Sequence, residues 1–512
     1  MNRQLADMFS WSWARVLWPI SSSELKKFVP LLLLKFFISM VYCILTDFKD
    51  CLIVTVGKQS GAELIPILKG WVVFPFSLIC VIIYFKICNK YKRSTIFYSI
   101  IAFFALFICL YAFVLYPNRE ILSPHQTADF LLERFGSQYA HWIAVFRNWM
   151  HALFFLLAEL WGQLVIIILY WGFANHICSI KEAKRTYPLF IAAGDVALIL
   201  IGPIVSYHRS LSETQNLDPI LTTFTFYILL CITLILSIYW WMHRYVLTDP
   251  RFFNPKLTRS QLNEKTKLSL VDSIKYIMRS KYLIHVAITM IGCALTINIV
   301  EVTWKAHLKI QYPLSIDYLS FASNVLTISG IASFLTVFFL GGICLRLFGW
   351  HFSAQIPPYV IGVTGGLFFI LCLSSNHLTP LTQLLGITPL MLIVLFGAFQ
   401  TIANKVVKYG FFDSTKEISY ILLDKEAKVK GKAAVDLVGS RLGKSSSSWI
   451  QLIIMQILGT SSVLMITPYL LPVILLGALY WSYSIGYLNK EMRIKEAQVT
   501  ETITPLTELK ST

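Results

Sequence analysis

The sequence predicts an all-α integral membrane protein with about twelve transmembrane helices in two groups of six. Of its 512 residues, 56% are hydrophobic and only 14% are charged, whereas soluble domains contain about 25% charged residues. The mean hydropathy is +0.66, and long apolar runs recur along the whole chain. These observations exclude an ordinary soluble domain and favour a protein that crosses the bilayer many times.

A membrane-spanning helix needs roughly 20 predominantly apolar residues, and twelve stretches are predicted to form one. Their limits are 27–46, 63–86, 96–116, 146–174, 187–207, 219–242, 283–303, 319–346, 357–375, 383–406, 448–467 and 469–487. The predicted domains are a cytoplasmic N-terminus 1–26, a six-helix bundle 27–242, a basic linker 243–282, a second six-helix bundle 283–489 and a cytoplasmic tail 490–512.

The distribution of Lys and Arg predicts the orientation of these spans. The loops "KICNKYKRS" and "SIKEAKRTY" and the stretch 408–444 are basic, whereas the loops after spans three, five, nine and eleven carry few cations. Basic loops remain in the cytoplasm, so both termini are expected there. The net charge of +17 therefore reflects topology, and no nucleic-acid partner is expected. Six plus six spans are typical of major-facilitator-like transporters, which bind substrate between two rocking halves.

Ionisable side chains inside these spans are the first candidates for a site, because each costs on the order of 2.5–3.5 kcal/mol to insert. The cations suit a phosphate-bearing polyanion, and the carboxylates suit charge balance or proton coupling. The basic candidates are Lys49 and Lys69, and the acidic ones are Asp47, Asp50, Glu159, Asp195 and Glu301. Structural alternatives stay open: Lys35 could snorkel, Lys49, Asp50, Lys305 and Lys309 could mark the interface, and Arg147 could pair with Glu159.

The stretch "GSRLGKSSSS" resembles a phosphate-binding loop but does not match one. Three residues instead of four separate Gly439 from Gly443, and no buried strand precedes them. A start of span eleven at this point would offer free backbone N–H groups and a helix dipole to an anion. Arg441, Lys444 and Ser445 are therefore candidate phosphate ligands. The structural alternative is a polar cap of span eleven.

Four longer stretches carry a family resemblance that extends from about residue 16 to 490. They are "LWPISSSELKKFVPLLLLKFFISMVYCILTDFKDCLIVT", "AELWGQLV…YWGFANHICSIKEAKRTYPLF", "NIVEVTWKAHLKIQYP" and "FFDSTKEISYILLDKEAKVKGKAAVDLVGSRLGKSSSSWIQ". They resemble the ATP/ADP translocase family of plastids and obligate intracellular bacteria. The resemblance implies nucleotide transport without covalent chemistry, cofactor or metal. The charged residues that the family ties to transport fall on Lys49, Glu159, Glu301 and Lys444.

One departure from the family pattern bears on the substrate. The exchangers of the family usually read Ile-Leu-Arg-Asp-Thr-Lys-Asp where this chain reads "ILTDFKD", so Thr46 replaces an arginine and Phe48 a threonine. Losing a cation would weaken selection for a highly charged substrate, and Phe48 could reshape the base or ribose pocket. The candidates for that pocket are Thr46, Phe48, Trp161 and Trp304.

The expected function is counter-exchange of ATP and ADP, or of other nucleoside phosphates, by alternating access in a bacterial inner membrane. The alternatives are net nucleotide import by proton symport and NAD/ADP exchange. The expected partners are a nucleotide, protons and the lipid bilayer, and the chain is expected to be a monomer and not an enzyme. An ATP-driven pump would need a soluble P-loop domain. A facilitator for other organic anions is disfavoured by the family resemblance alone.

Overall fold

The computed structural model describes residues 20–178, 180–211, 217–249, 252, 275, 277–420, 435 and 439–508. Throughout this part of the chain the regular elements are helices. The predicted all-α fold class is therefore confirmed.

Long helices follow the predicted spans, and we number them α1 to α12. Their bounds are Leu25–Thr55, Leu64–Cys88, Arg93–Leu115, Trp149–Ile177, Arg185–Leu211, Asp218–Tyr245, Lys281–Gln311, Ser315–Leu335, Leu347–Leu373, Pro389–Ser419, Ser440–Ile457 and Thr467–Ile494. Among the described residues, 11 helices are long and apolar enough to cross a membrane. They include α1 and α10, the two predicted spans with the most polar content.

The remaining helix, α11, differs from its prediction. It begins at Ser440 and ends at Ile457, so the predicted limits 448–467 are wrong. Its polar first turns lower its average hydropathy, and the chain leaves the helix at Gly459, which has φ 61°, a left-handed conformation that favours glycine. The Gly-Lys-Ser stretch therefore lies within the helix and does not precede it.

The start of the fourth predicted span, 146–174, is also wrong. Short helices Arg119–Leu122, His125–Phe135 and Ala140–Arg147 connect α3 to α4, and Asn148 leaves helical geometry with φ −101° and ψ 36°. Arg147 thus belongs to a separate helix, where it pairs with Asp129. Glu159 instead pairs with Lys49 at 2.9 Å, so the alternative of an Arg147–Glu159 ion pair is wrong.

Two long helices organise the packing around the centre of the bundle. In the N-terminal group, α1–α6, helix α1 packs against α4, α5 and α6; in the C-terminal group, α7–α12, helix α7 packs against α10, α11 and α12. The groups meet where α5 packs on α8 and α2 on α11. The bundle limits 27–242 and 283–489 stay a prediction.

Among the described residues, four segments of these helices are π-helical, with an extra residue in the turn, and a fifth π-helical segment lies between α8 and α9. They are Leu68–Val73, Tyr111–Leu115, Gly162–Tyr170, Thr336–Gly341 and Lys408–Phe412. π-Helical turns occur frequently at functional sites. The segments in α2, α4 and α10 contain or adjoin candidate residues of the site described next.

Candidate functional site

A chain of alternating charges crosses the interface where α1 meets α4 and α7. Lys49 Nζ lies 3.1 Å from Asp50 Oδ1 and 2.9 Å from Glu159 Oε1 of α4. Asp50 Oδ2 accepts a 2.7 Å hydrogen bond from Lys305 of α7. Lys305 Nζ in turn lies 2.5 Å from Glu301 Oε1, one helical turn earlier. This chain of charges therefore links the N-terminal and C-terminal groups of helices. The sequence alone did not predict which of its side chains pair with each other.

Three further polar contacts join the groups near this chain of charges. Lys69 of α2 donates a 2.7 Å hydrogen bond to Asn298 Oδ1 of α7 and lies 3.4 Å from Glu301 Oε2. Ser323 Oγ of α8 donates a 2.6 Å hydrogen bond to Asp47 Oδ2 of α1. The predicted residues Asp47 and Lys69 thus both face the opposite group.

Lys444 completes the arrangement from α11. Its Nζ lies 3.9 Å from Glu159 Oε2, and its side chain is 52% exposed. The following serines bond within the helix, since Ser447 Oγ and Ser448 Oγ both donate to the carbonyl of Lys444, at 2.6 and 3.2 Å. Ser445 is buried beside them. The side chain of Arg441 lies outside the described structure, so its role stays a prediction.

We call these seven side chains the charged cluster: Lys49, Asp50, Lys69, Glu159, Glu301, Lys305 and Lys444. Removing an ion from water costs several kcal/mol even after the protein relaxes. Apolar side chains in place of buried ion pairs are often neutral or stabilising. A buried ion pair is therefore weak evidence of a role in stability, whereas ionisable groups inside membrane helices indicate a functional pathway.

Asp195 of α5 lies apart from the charged cluster. It adjoins Lys35, because a Cβ on the neighbouring Gly194 would lie 3.6 Å from Lys35 Nζ. Lys35 is buried at this point and does not snorkel to the end of α1. Lys405 of α10 also interacts electrostatically with Asp195. Within the described structure, Asp195 Oδ2 and Thr46 Oγ1 are buried without a hydrogen-bond partner.

The aromatic candidates for a base pocket are packed between helices. Phe48 is 2% exposed and its ring centroid lies 5.3 Å from that of a phenylalanine on α6. The Nε1 groups of Trp161 and Trp304 donate to the backbone carbonyls of Ile38 and Val394, at 3.1 and 3.0 Å. These contacts give the rings a structural role, and their part in a base pocket stays a prediction without support from this geometry.

Sequence reasoning missed several residues at the centre of the bundle. Lys305 was open to interpretation as an interface marker, but it is 5% exposed and bonded to two carboxylates. Its spacing of four residues from Glu301 was the available signal. Asn298, Tyr42 and Tyr409 carried no such signal, because neutral polar and aromatic residues occur on every face of membrane helices.

The two groups also meet at the end of the bundle where α1 ends, which we call the Thr55 end. Thr55 Oγ1 donates a 2.9 Å hydrogen bond to Ser315 Oγ at the start of α8. Arg209 of α5 forms a 2.7 Å ion pair with Asp317 of α8. Contacts at the opposite end, such as Lys27–Glu182 at 2.8 Å, join segments of the same group. The Thr55 end is thus held closed by polar contacts between the groups.

Solved structures with a similar fold are membrane transporters. A bacterial homologue of the iron transporter ferroportin in an inward-facing state superposes with a TM-score of 0.52 at 14% identity, covering 92% of this chain and 99% of that chain. The nucleoside transporter NupG superposes with a TM-score of 0.51 at 12% identity, covering 90% and 99%. At these identities the likeness shows the fold alone, and it confirms the predicted major-facilitator-like arrangement.

Sequence relatives identify the family. ADP,ATP carrier protein 1 of Chlamydia trachomatis is 42% identical over 479 residues, 93% of this chain and 90% of the relative. The chloroplastic ADP,ATP carrier protein 1 of Arabidopsis thaliana is 38% identical over 90% of this chain and 73% of the relative. ADP,ATP carrier protein 1 of Rickettsia prowazekii is 34% identical over 94% and 96%. A family profile described as "TLC ATP/ADP transporter" matches residues 4–492. This multi-pass membrane protein therefore belongs to the TLC ATP/ADP transporter family.

Proposed function

We propose that this protein exchanges ATP for ADP across the inner membrane of a bacterium by alternating access. Its family and the names of its relatives support nucleotide exchange. They favour it over net import by proton symport and over NAD/ADP exchange. The observation that carries the mechanism is the charged cluster, in which lysines from α1, α2, α7 and α11 meet at the interface of the two groups.

Lys444 makes the first contact with the phosphate chain, because its side chain is half exposed and only loosely paired with Glu159. The phosphates then compete with Glu159 for Lys49, which that carboxylate holds at 2.9 Å. Lysines bind phosphate as mobile point charges. Substrate thus replaces carboxylate partners of the lysines, and the displaced carboxylates become free to change position.

The ion pairs that cross the interface between the two groups favour obligatory exchange over reorientation of the empty protein. Rocking of the empty protein has to separate Lys305 from Asp50 and Lys69 from Glu301. An uncompensated buried charge is strongly unfavourable, so the empty protein reorients slowly. Bound phosphates lower this barrier because they supply anionic partners for the lysines throughout the movement.

The basic loops support a cytoplasmic position for both termini, and with this orientation the closed Thr55 end lies on the opposite side of the membrane. The chain acts as a monomer surrounded by lipid, and it moves its substrate without covalent chemistry. Asp195, buried with one oxygen unpartnered among the described residues, is the carboxylate best suited to exchange a proton if protons take part.

The test is uptake of labelled ATP into liposomes that contain the purified protein, either empty or preloaded with ADP. Exchange predicts uptake into the loaded vesicles alone. Lys49→Gln is expected to abolish this uptake, whereas Lys90→Gln, a matched change at an exposed lysine, should leave it unchanged. Equal uptake into empty vesicles under an inward proton gradient would contradict exchange.

A further inference from the structure

A nucleotide transporter has to hold a base as well as phosphates, and the aromatic rings suggested by the sequence are engaged in helix packing. A base stacks only on a ring with an accessible face. Two rings near the charged cluster keep accessible surface, since Tyr42 of α1 is half-buried and Tyr409 of α10 is 36% exposed.

Tyr42 lies next to the phosphate-binding lysines. A Cβ on Gly162 of α4 would lie 2.8 Å from Tyr42 Cε2, so the absence of a side chain at this glycine lets the ring rest on α4. Gly162 follows Glu159 by one helical turn. The Tyr42 hydroxyl interacts electrostatically with Glu159, Lys49 and Tyr409. Its ring therefore stands at the margin of the charged cluster.

Tyr409 approaches from the C-terminal group. It is 36% exposed, although its hydroxyl interacts electrostatically with Asp195 and Cys43 of the N-terminal group. This interaction puts the Tyr409 hydroxyl on the side of α10 that faces the N-terminal group. Lys408 Nζ lies 5.1 Å from the centroid of the Tyr409 ring, within the range of a cation–π contact.

The backbone at both rings departs from α-helical geometry. Gly162, against which Tyr42 rests, begins the π-helical segment of α4, and Lys408 begins that of α10. The second segment fits closely against the π-helical segment that follows α8, because a Cβ on Gly410 would lie 2.5 Å from Thr336 Cγ2. An extra residue per turn redirects the side chains that follow, and such turns cluster at functional sites.

We propose that Tyr42 and Tyr409 form a base-stacking subsite beside the charged cluster, with Lys408 held at its edge. The inference rests on the proposed function and assigns the part of the site that binds the nucleobase. Every nucleobase has a π-face that can stack on an aromatic ring. This subsite therefore binds nucleosides as a class and does not distinguish one base from another. Phosphate recognition remains with the lysines of the charged cluster.

The test compares Tyr409→Leu, Tyr409→Phe and Tyr359→Leu in ADP/ATP exchange by liposomes. Tyr359 is a matched control, because it is 59% exposed on the outer face of α9. Tyr409→Leu should raise the KM for ADP about tenfold, the usual effect of losing one base–aromatic stack. Tyr409→Phe retains the ring and should keep the wild-type KM. The inhibition constant of inorganic triphosphate, which has no base, should be the same in all variants.

Gly162→Ala provides a second, independent perturbation, since the added methyl displaces the Tyr42 ring. It should raise the KM for ADP and leave triphosphate inhibition unchanged. An unchanged KM in Tyr409→Leu would overturn the subsite, as would a parallel loss of triphosphate inhibition, which would assign Tyr409 to the phosphates. Absence of ADP/ATP exchange by the wild-type protein would instead refute the proposed function.

Discussion

Lys305 Nζ lies 2.7 Å from Asp50 Oδ2 and thereby ties α7 to α1 across the interface of the two groups. Both residues are less than a tenth exposed. The pair is thus a buried connection between the parts of the molecule that have to move relative to each other.

The first prediction concerns this pair. Lys305→Gln removes one of the two lysines that hold the buried carboxylate of Asp50, the other being Lys49. The charges of the cluster are then unmatched, and breaking a buried pair costs about 3–5 kcal/mol of stability. The double variant Lys305→Gln/Asp50→Asn should recover most of that loss, because no isolated charge remains, while exchange stays abolished. Unfolding in detergent and exchange in liposomes measure the two effects. A double variant as unstable as the single one would contradict the pairing.

The second prediction separates binding from folding at Lys444. Its side chain is half exposed, so Lys444→Gln should change the unfolding free energy by no more than about 0.5 kcal/mol. The KM for ADP should rise about tenfold, since one charge-assisted phosphate contact is worth roughly 1.5–3 kcal/mol. Lys444→Arg should restore part of the affinity. A large loss of stability with an unchanged KM would assign the residue to structure.

The third prediction concerns closure of the Thr55 end. Thr55 and Ser315 are hydrogen-bonded across the groups at 2.9 Å. Cysteines at both positions, linked by a short bifunctional thiol reagent, should hold this end closed and stop exchange. The single variants Thr55→Cys and Ser315→Cys control for modification of the native cysteines. Continued exchange by fully cross-linked protein would show that this end does not open during transport.

The fourth prediction concerns pH and the connection before α4. A hydrogen bond from Arg147 holds the pKa of Asp129 below its ordinary value of 3.8. A depressed carboxyl pKa stabilises the fold above the unfolded pKa, and the contribution is lost as pH falls through the folded value. Asp129→Asn should therefore lower the melting temperature near neutral pH and show less further loss on acidification. Exchange activity should persist, because the pair lies outside the charged cluster. An identical acid response in both proteins would contradict this assignment.

The fold was largely predictable because lipid imposes a minimum length of apolar sequence on each crossing. The prediction failed at α11, whose first turns carry Lys444 and several serines. Because such residues are polar, hydropathy assigns them to a loop. In the structure they lie within the helix and face other helices and a charged interior. The break at Asn148 escaped prediction for the opposite reason, since apolar residues flank it on both sides.

The sequence indicated which charged residues could form the candidate site, but not which of them pair with each other. Glu159 and Glu301 stood out because isolated carboxylates in apolar helices are costly. Their partners Lys49, Lys69 and Lys305 come from other helices or another turn, and no spacing in the chain relates Glu159 to Lys49. The sequence could not separate packed from accessible rings, because the burial of a ring such as Trp161 or Tyr42 depends on the helices that pack around it.

The π-helical segments have a consequence for how this chain tolerates changes in length. A π-helical turn holds one residue more than an α-helical turn, so deletion of one residue within Gly162–Tyr170 would restore α-geometry without breaking α4. Because the wider π-helical turn takes up the roughly 100° that one residue adds to an α-helix, the part of the helix beyond the deletion would keep its direction relative to Glu159. Single-residue gaps are therefore structurally admissible inside this membrane helix, and the side chains beyond them keep the faces they have.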